Sequence, residues 1–198
     1  MAKPTTMSII AHICDDVKDY KKNGLEKVKR MVAEEQFRCH VCCRPLHIHS
    51  YYRRKVKETG DTLTIAVLRC GDRCERGKAL LPDFISQYRQ YSMNEIEKVV
   101  SGKADGRRVS EIDTKASEST ASRWISQTAE RIIAAISVVK AVFVEMGAAV
   151  SELRLDRRGG FAELESLLDA APKRSRHSGT TLGLANLWLG MRPPPAYI

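Results

Sequence analysis

The spacing of hydrophobic residues changes along the chain, from short strand-like runs in the first half to helical repeats in the second. Residues 7–13 (MSIIAHI) are apolar and β-branched, which predicts a short strand. Residues 15–37 then carry apolar side chains at helical spacing, at Leu25, Val28 and Val32. The chain is therefore expected to begin with a strand and a helix that is interrupted at Gly24.

Two β-rich runs follow in the first half. LHIHSYYRRKV (residues 46–56) and DTLTIAVLRC (residues 61–70) are joined by a short segment that contains Gly60, which predicts a β-hairpin. LLPDFISQYRQYS (residues 80–92) then leaves the hairpin. This segment, which contains Pro82, is expected to be an extended exit.

The second half is dominated by helical patterns. Ser92 is placed to cap the helix MNEIEKVV, with Glu95 completing a capping box. A long helix is expected over residues 119–146, where the apolar positions form one broad stripe. These positions are Trp124, Ile125, Thr128, Ile132, Ile136, Val139, Phe143 and Met146. The long helix, with residues 161–170 and 182–189, either closes an intramolecular bundle or forms a dimer seam.

Four of the six cysteines form two close pairs, one on each side of the predicted hairpin. Their spacing is C-x2-C, then 27 residues, then C-x3-C. Two such pairs supply four thiolates, and a hairpin brings both pairs to one end of a small sheet, as in a zinc ribbon. Because protein thiolates fill all four positions, the one zinc ion is expected to be structural. The predicted ligands are Cys39, Cys42, Cys70 and Cys74. The alternative is a set of scattered buried thiols.

Four further side chains near this site are spare ligands. They are Cys43, His40, His47 and His49. Each is expected to be structural or exposed, although any of them could replace a predicted ligand. Cys43 stands where such a turn usually has glycine. Cys14, in the first strand, is expected to be a small buried hydrophobic residue.

Positive charge is concentrated on the cysteine-containing segment. The chain has a net charge of +9, and residues 39–91 hold ten Lys or Arg against five Asp or Glu. An anionic partner is expected, with nucleic acid first and a merely solvated basic surface as the alternative. Strand alternation places Arg53, Lys55 and Lys57 on one face and Arg54 on the other. A row of like charges suits a phosphate backbone.

Neither a signal peptide nor a membrane span is expected. The first 16 residues contain one Lys, a short apolar run and then acids. The apolar segment 132–150 contains Lys140 and Glu145, which are costly at the centre of a bilayer. The chain is therefore expected to be cytoplasmic, where paired cysteines favour a metal over a disulfide.

The motifs CHVC, LHIHSYYRRKV, LRCGDRC and LLPDFISQYRQYS resemble a bacterial family of unknown function that has an N-terminal zinc ribbon and a helix-turn-helix. The ribbon of that family is similar to the one that opens many insertion-sequence transposases. The resemblance covers residues 7–137. It implies a DNA-binding protein associated with mobile elements.

VSEIDTKASESTASRWI (residues 109–125) is typical of the second and third helices of a helix-turn-helix, with an ordinary helical hairpin as the alternative. Ser117 or Ser119 would cap the recognition helix, and Trp124 would anchor its inner face. Arg123 would be the main donor to a base edge or phosphate. The other expected DNA contacts are Ser119, Thr120 and Ser122 on this helix and Arg107 and Arg108 before it.

Together these patterns predict an α+β, mainly α protein with a small zinc-ribbon β-hairpin, a helix-turn-helix and a long-helix C-terminal bundle. The expected divisions are residues 1–38 (strand and helix), 39–91 (ribbon), 92–137 (helix-turn-helix) and 138–198 (C-terminal helices). The predicted function is zinc-stabilised binding of double-stranded DNA, by a regulator or by the recognition subunit of a mobile element. A recombinase or other mobile-element protein is a candidate partner, and a homodimer is a candidate assembly.

An enzyme is not expected from the sequence. The chain has no Gly-rich phosphate loop and no set of three acids spread over a ribonuclease-like domain. The alternative function is a zinc-ribbon adaptor that binds proteins without reading DNA.

Overall fold

The first half of the chain folds around a four-stranded mixed sheet in a computed structural model that describes residues 8–72, 74, 77–87, 90–145, 160–170 and 185. The strands are β1 (Ile9–Ala11), β2 (Leu46–Lys55), β3 (Thr62–Cys70) and β4 (Lys78–Pro82). Their order is β1-β4-β3-β2, with β1 parallel to β4 and the other pairs antiparallel. The prediction of a mainly helical protein with only a small hairpin is therefore wrong.

β4 includes the first three residues of the segment 80–92 that was expected to be an extended exit. Leu80 and Leu81 are both buried, and a continuous apolar run is typical of a strand covered on both faces. Pro82 pairs with Ala11 at the end of the strand, and the next N–H, of Asp83, donates to the Ala11 carbonyl at 3.0 Å. β4 becomes a strand because β1, far upstream in sequence, lies beside it.

The β2–β3 hairpin forms where it was predicted. Gly60 has a φ of +74°, in the left-handed region that favours glycine. The Val56 N–H donates to the Asp61 carbonyl at 2.8 Å and closes the turn. A bulge between Ile48 and Ser50 shifts the register once. The hairpin supplies one edge strand of the sheet, β2, and one of its two inner strands, β3.

A continuous helical segment packs against this sheet. It comprises α1 (Val17–Asp19), a π-helical turn (Tyr20–Gly24) and α2 (Leu25–Ala33). The helical segment continues through Gly24. The absence of a side chain at Gly24 leaves room for the Tyr20 ring. A Cβ atom at Gly24 would lie 2.6 Å from Cγ of Tyr20. The Tyr20 hydroxyl donates to the Thr64 carbonyl at 3.1 Å and ties the helix to β3.

The second half buries a separate hydrophobic cluster between three helices. These are α3 (Met93–Ala104), α4 (Glu118–Glu145) and α5 (Gly160–Asp169). Val139 and Phe143 of α4 are buried in one cluster with Leu164 and Leu167 of α5. The predicted apolar stripe up to Phe143 therefore packs within this chain. Met146 and, apart from Ala185, residues 182–189 lie outside the described residues. None of the helices in the described part of the chain is long and apolar enough to cross a bilayer.

The predicted helix-turn-helix is wrong, because its expected second helix is a single 3-10 turn, Val109–Glu111. A helix-turn-helix requires two full helices joined by a tight turn. The buried carboxylate of Glu95 explains the difference. It accepts hydrogen bonds from the Thr114 hydroxyl (2.8 Å) and from the Lys115 N–H. The Lys115 N–H, which would donate to a backbone carbonyl in a continued helix, is bonded to Glu95 instead. The link to α4 is therefore non-helical.

Candidate metal centre and cationic hairpin

The first cysteine pair lies in a tight turn between Cys39 and Arg44. The Cys39 N–H donates to the Arg44 carbonyl, and the Cys43 N–H donates to the Cys39 carbonyl, both at 2.8 Å. Cys43 has a φ of +57°, which lets the chain reverse directly after Cys42. The turn therefore carries the sulfurs of Cys39 and Cys42 to the same side.

The second pair reaches the same place through the hairpin register. Leu46, at the start of β2, pairs with Cys70, at the end of β3. Arg44 donates to the Asp72 carboxylate, at 2.8 Å to Oδ1, and joins the two loops. Sequence reasoning missed this ion pair. The signal that could have found it is the shared position of Arg44 and Asp72, each two residues after a predicted ligand.

The four predicted ligands form one cluster. Sγ atoms of Cys39, Cys42, Cys70 and Cys74 all lie within 4.8 Å of one another. The Sγ of Cys70 is 3.4 Å from that of Cys42 and 3.7 Å from that of Cys74. A tetrahedral ion with metal–sulfur bonds of about 2.3 Å separates its sulfurs by about 3.8 Å. The cluster has the size and the donor set to hold one metal ion.

Hydrogen bonds to the backbone and between the thiols make their pKa values unequal. A hydrogen bond from the Asp72 N–H lowers the pKa of Cys70. A hydrogen bond with Cys42 raises the pKa of Cys74 to about 12. Several thiolates this close repel one another unless a cation lies between them. A divalent metal removes that repulsion by binding each sulfur in its deprotonated form.

The spare ligands stay outside the cluster. Cys43, His47 and His49 are exposed. The Nδ1 atom of His40 lies 2.9 Å from the Lys78 ammonium. Across the described residues, no other group of three metal-ligating side chains comes together. Cys14 is buried as expected, and burial raises its pKa to about 11.

The turn end of the hairpin carries the predicted cationic side chains. The register with β3 places Arg53 and Lys55 on the same face. Both are exposed, and neither has an acidic partner among the residues that the structure describes. Arg54 points to the other face, where its guanidinium donates to the Ser86 carbonyl. Two of the strand's three cations are therefore available to an external anion.

Lys57 connects the hairpin to the helical half of the molecule. It lies beyond the end of β2, and its N–H donates to the Gln90 carbonyl at 2.7 Å. The Lys57 ammonium is 5.7 Å from the centroid of the Tyr91 ring. Tyr91 in turn packs edge-to-face on Trp124, with ring centroids 4.9 Å apart. A chain of contacts thus runs from the hairpin to the first turns of α4.

The other predicted DNA contacts lie around the start of α4. Ser117 caps this helix, since its Oγ accepts from the Thr120 N–H at 3.4 Å. Trp124 is buried as predicted. The exposed members of the predicted set are Ser119, Ser122, Arg123, Arg107 and Arg108, and Thr120 is half-buried. Arg107 lies 3.3 Å from the Asp105 carboxylate, so its charge is partly balanced.

Residues 39–124 match the model of a protein family described as a domain of unknown function (DUF6431). The match begins at the first cysteine of the cluster and ends at Trp124. No curated protein and no solved structure matches the chain. The comparisons therefore support a likeness to a family of unknown function, and they give no support to a likeness to transposases or to a helix-turn-helix family.

Proposed function

We propose that this chain is a zinc-stabilised DNA-binding protein without catalytic activity. The observation that carries the proposal is the layout of the hairpin. Four thiols lie at one end, and exposed cations that have no acidic partner among the described residues lie near the other. A metal that fixes the ends of β2 and β3 would also fix the register that places those cations on one face.

Zinc is the ion that suits the cluster best. Soft sulfur donors in a tetrahedron select zinc over hard cations, which prefer oxygen ligands. Because four protein sulfurs leave no open position for a water molecule, the ion would contribute folding free energy and would not activate a nucleophile. This assigns a structural role to the metal.

Double-stranded DNA is the proposed partner of the cationic row, which we define as Arg53, Lys55 and Lys57. Like charges in a row repel one another within the fold, whereas a phosphate backbone supplies regularly spaced counter-charges. The contact chain through Tyr91 brings the start of α4 close to this row. There Arg123 and the neighbouring hydroxyls would add phosphate contacts, aided by the positive end of the helix dipole.

The motifs within residues 7–137 resemble a ribbon-containing family, and on that resemblance we propose a role in recognising mobile-element DNA. In that role the protein would act as a transcriptional regulator or as an accessory subunit beside a recombinase. A large recombinase encoded next to this chain would favour the second role.

A second candidate function is that of a protein-interaction adaptor. It is favoured by Val41, which lies between the first two cysteines and is 60% exposed. An apolar side chain on a metal-stiffened turn is suited to inserting into a pocket of a partner protein. This function predicts binding to a protein and no dependence on the cationic row.

Salt-dependent DNA binding distinguishes the two functions. Changing Arg53, Lys55 and Lys57 together to Ala should flatten the slope of log affinity against log salt by up to about 3, because each lost phosphate contact lowers the slope by roughly 0.9. Fluorescence anisotropy with a labelled random-sequence duplex measures this slope. Metal content should remain unchanged, and circular dichroism should show a folded protein.

The matched control removes the same charge elsewhere. Lys22, Arg30 and Arg131 are exposed on helices outside the hairpin. Changing these three to Ala should leave the slope close to that of the unaltered protein. If both triple variants bind DNA alike, the hairpin does not contact DNA and the adaptor function is favoured.

A further inference from the structure

We infer that Tyr51 stacks on unpaired bases, so that the hairpin binds a single strand of nucleic acid through both ring and charge contacts. This inference rests on the proposed function, because it concerns the ligand of the same hairpin surface. It adds a ligand class, single-stranded nucleic acid, and a residue that selects it.

The Tyr51 ring is exposed and is not part of either hydrophobic cluster of the described residues. It lies on the edge strand β2 and is 46% exposed. Its cross-strand partner is Ala66, whose small side chain cannot cover the ring. The Tyr51 hydroxyl makes no hydrogen bond within the described part of the chain. Tyrosines that stabilise a fold usually bury the ring and bond the hydroxyl.

Two cations of the row, Arg53 and Lys55, follow Tyr51 on the same face of β2. Tyr51, Arg53 and Lys55 alternate along β2, so the three side chains share one face at intervals of about 7 Å. An aromatic ring beside cations is the combination that binds single strands, because bases stack on the ring while phosphates meet the charges. A duplex offers only the phosphates, since its bases are already stacked on each other.

Tyr52 provides the contrast within the same strand. It is also exposed, at 38%, and it lies on the opposite face, where it pairs with Ile65. The cation on that face, Arg54, donates to the Ser86 carbonyl. Among the described residues, the cation beside Tyr52 is therefore engaged with the protein, unlike Arg53 beside Tyr51, which makes Tyr52 the matched control for Tyr51.

The experiment compares two labelled ligands with equal numbers of phosphates, an oligothymidylate and a blunt duplex. In zinc-loaded full-length protein, Tyr51→Leu should weaken oligothymidylate binding about tenfold, the size expected for one stacked base. The same variant should bind the duplex as the unaltered protein does. Tyr51→Phe should keep oligothymidylate binding, because the ring remains. Tyr52→Leu should change neither affinity.

Other outcomes overturn the inference in distinguishable ways. If Tyr51→Leu binds oligothymidylate normally, or weakens both ligands equally, Tyr51 does not stack on bases while the proposed DNA binding stands. The same holds if Tyr52→Leu reproduces the loss seen with Tyr51→Leu. If the unaltered protein binds neither ligand, the proposed function itself fails and the inference fails with it.

Discussion

Cys43 occupies a backbone conformation that suits glycine better than cysteine. Its φ of +57° lies in the left-handed region, and its thiol is exposed outside the cluster. Cys43→Gly should therefore raise the free energy of unfolding by about 0.5–1 kcal/mol, because the strain of a side chain at positive φ is removed. The urea midpoint of the metal-loaded protein measures this change.

Val41→Gly is the control for that substitution. Val41 lies in the same turn without a positive φ, so glycine there should bring no gain in stability. The metal content of the Cys43→Gly variant also tests whether Cys43 is a metal ligand. If Cys43→Gly lost its metal, Cys43 would be a ligand, against its position in the structure.

Ser92 and Glu95 show how a local motif can be completed by a distant residue. The Ser92 Oγ accepts from the Glu95 N–H at 3.4 Å, as a capping box requires. In a full capping box the Glu95 carboxylate would accept from the Ser92 N–H. Here the Ser92 N–H donates instead to the carboxylate of Glu58 at 2.8 Å. Glu95 is thereby left to bind the link before α4. The cap itself was predictable from local sequence, but the acid that completes it was not.

At the scale of the hairpin, the metal is expected to hold the element together. Purified protein should contain one zinc ion per chain, and Cys70→Ser should lose it and unfold the hairpin. Structural zinc contributes on the order of 10 kcal/mol of apparent folding free energy in small domains. Elemental analysis and circular dichroism melting measure the two effects.

Cys14→Ser is the matched control for the metal, because Cys14 is a buried thiol outside the cluster. That variant should keep its zinc, whatever it loses in packing. A chain that is stripped of metal yet melts as before would contradict the structural role of zinc.

At the scale of the whole molecule, Trp124 joins the two halves. It is buried in the helical cluster and contacts Tyr91, which lies under the Lys57 ammonium of the hairpin. Trp124→Ala should lower the free energy of unfolding by about 3–5 kcal/mol, as is usual when a buried Trp is truncated. Urea denaturation followed by circular dichroism measures it.

Arg123, the residue before Trp124 on α4, is exposed and should behave in the opposite way. Arg123→Ala should keep the urea midpoint and weaken duplex binding by about 1–3 kcal/mol, the value of one well-placed contact. Normal binding by Arg123→Ala would remove α4 from the proposed DNA surface. A stable Trp124→Ala variant would contradict the buried position of Trp124.

Features that depend on neighbours along the chain could be predicted from the sequence. The hairpin, the cap at Ser92 and the buried stripe of α4 follow from turn residues, side-chain hydrogen bonding and hydrophobic period, which act over a few residues. The four cysteines of the cluster were also predictable, because a hairpin with thiols flanking both strands must bring them together.

Features that depend on distant contacts emerged only with the fold. Residues 80–82 of β4 form a strand because β1 pairs with them, and a parallel partner leaves no mark in the local pattern. The segment before α4 has a helical sequence pattern, but the Glu95 carboxylate of α3 accepts hydrogen bonds from its Thr114 hydroxyl and its Lys115 N–H. In both places the local sequence pattern predicted a different structure, because it does not include the hydrogen bonds made by a group far along the chain. Such buried hydrogen bonds contribute more than helix propensities, which amount to a few tenths of a kcal/mol.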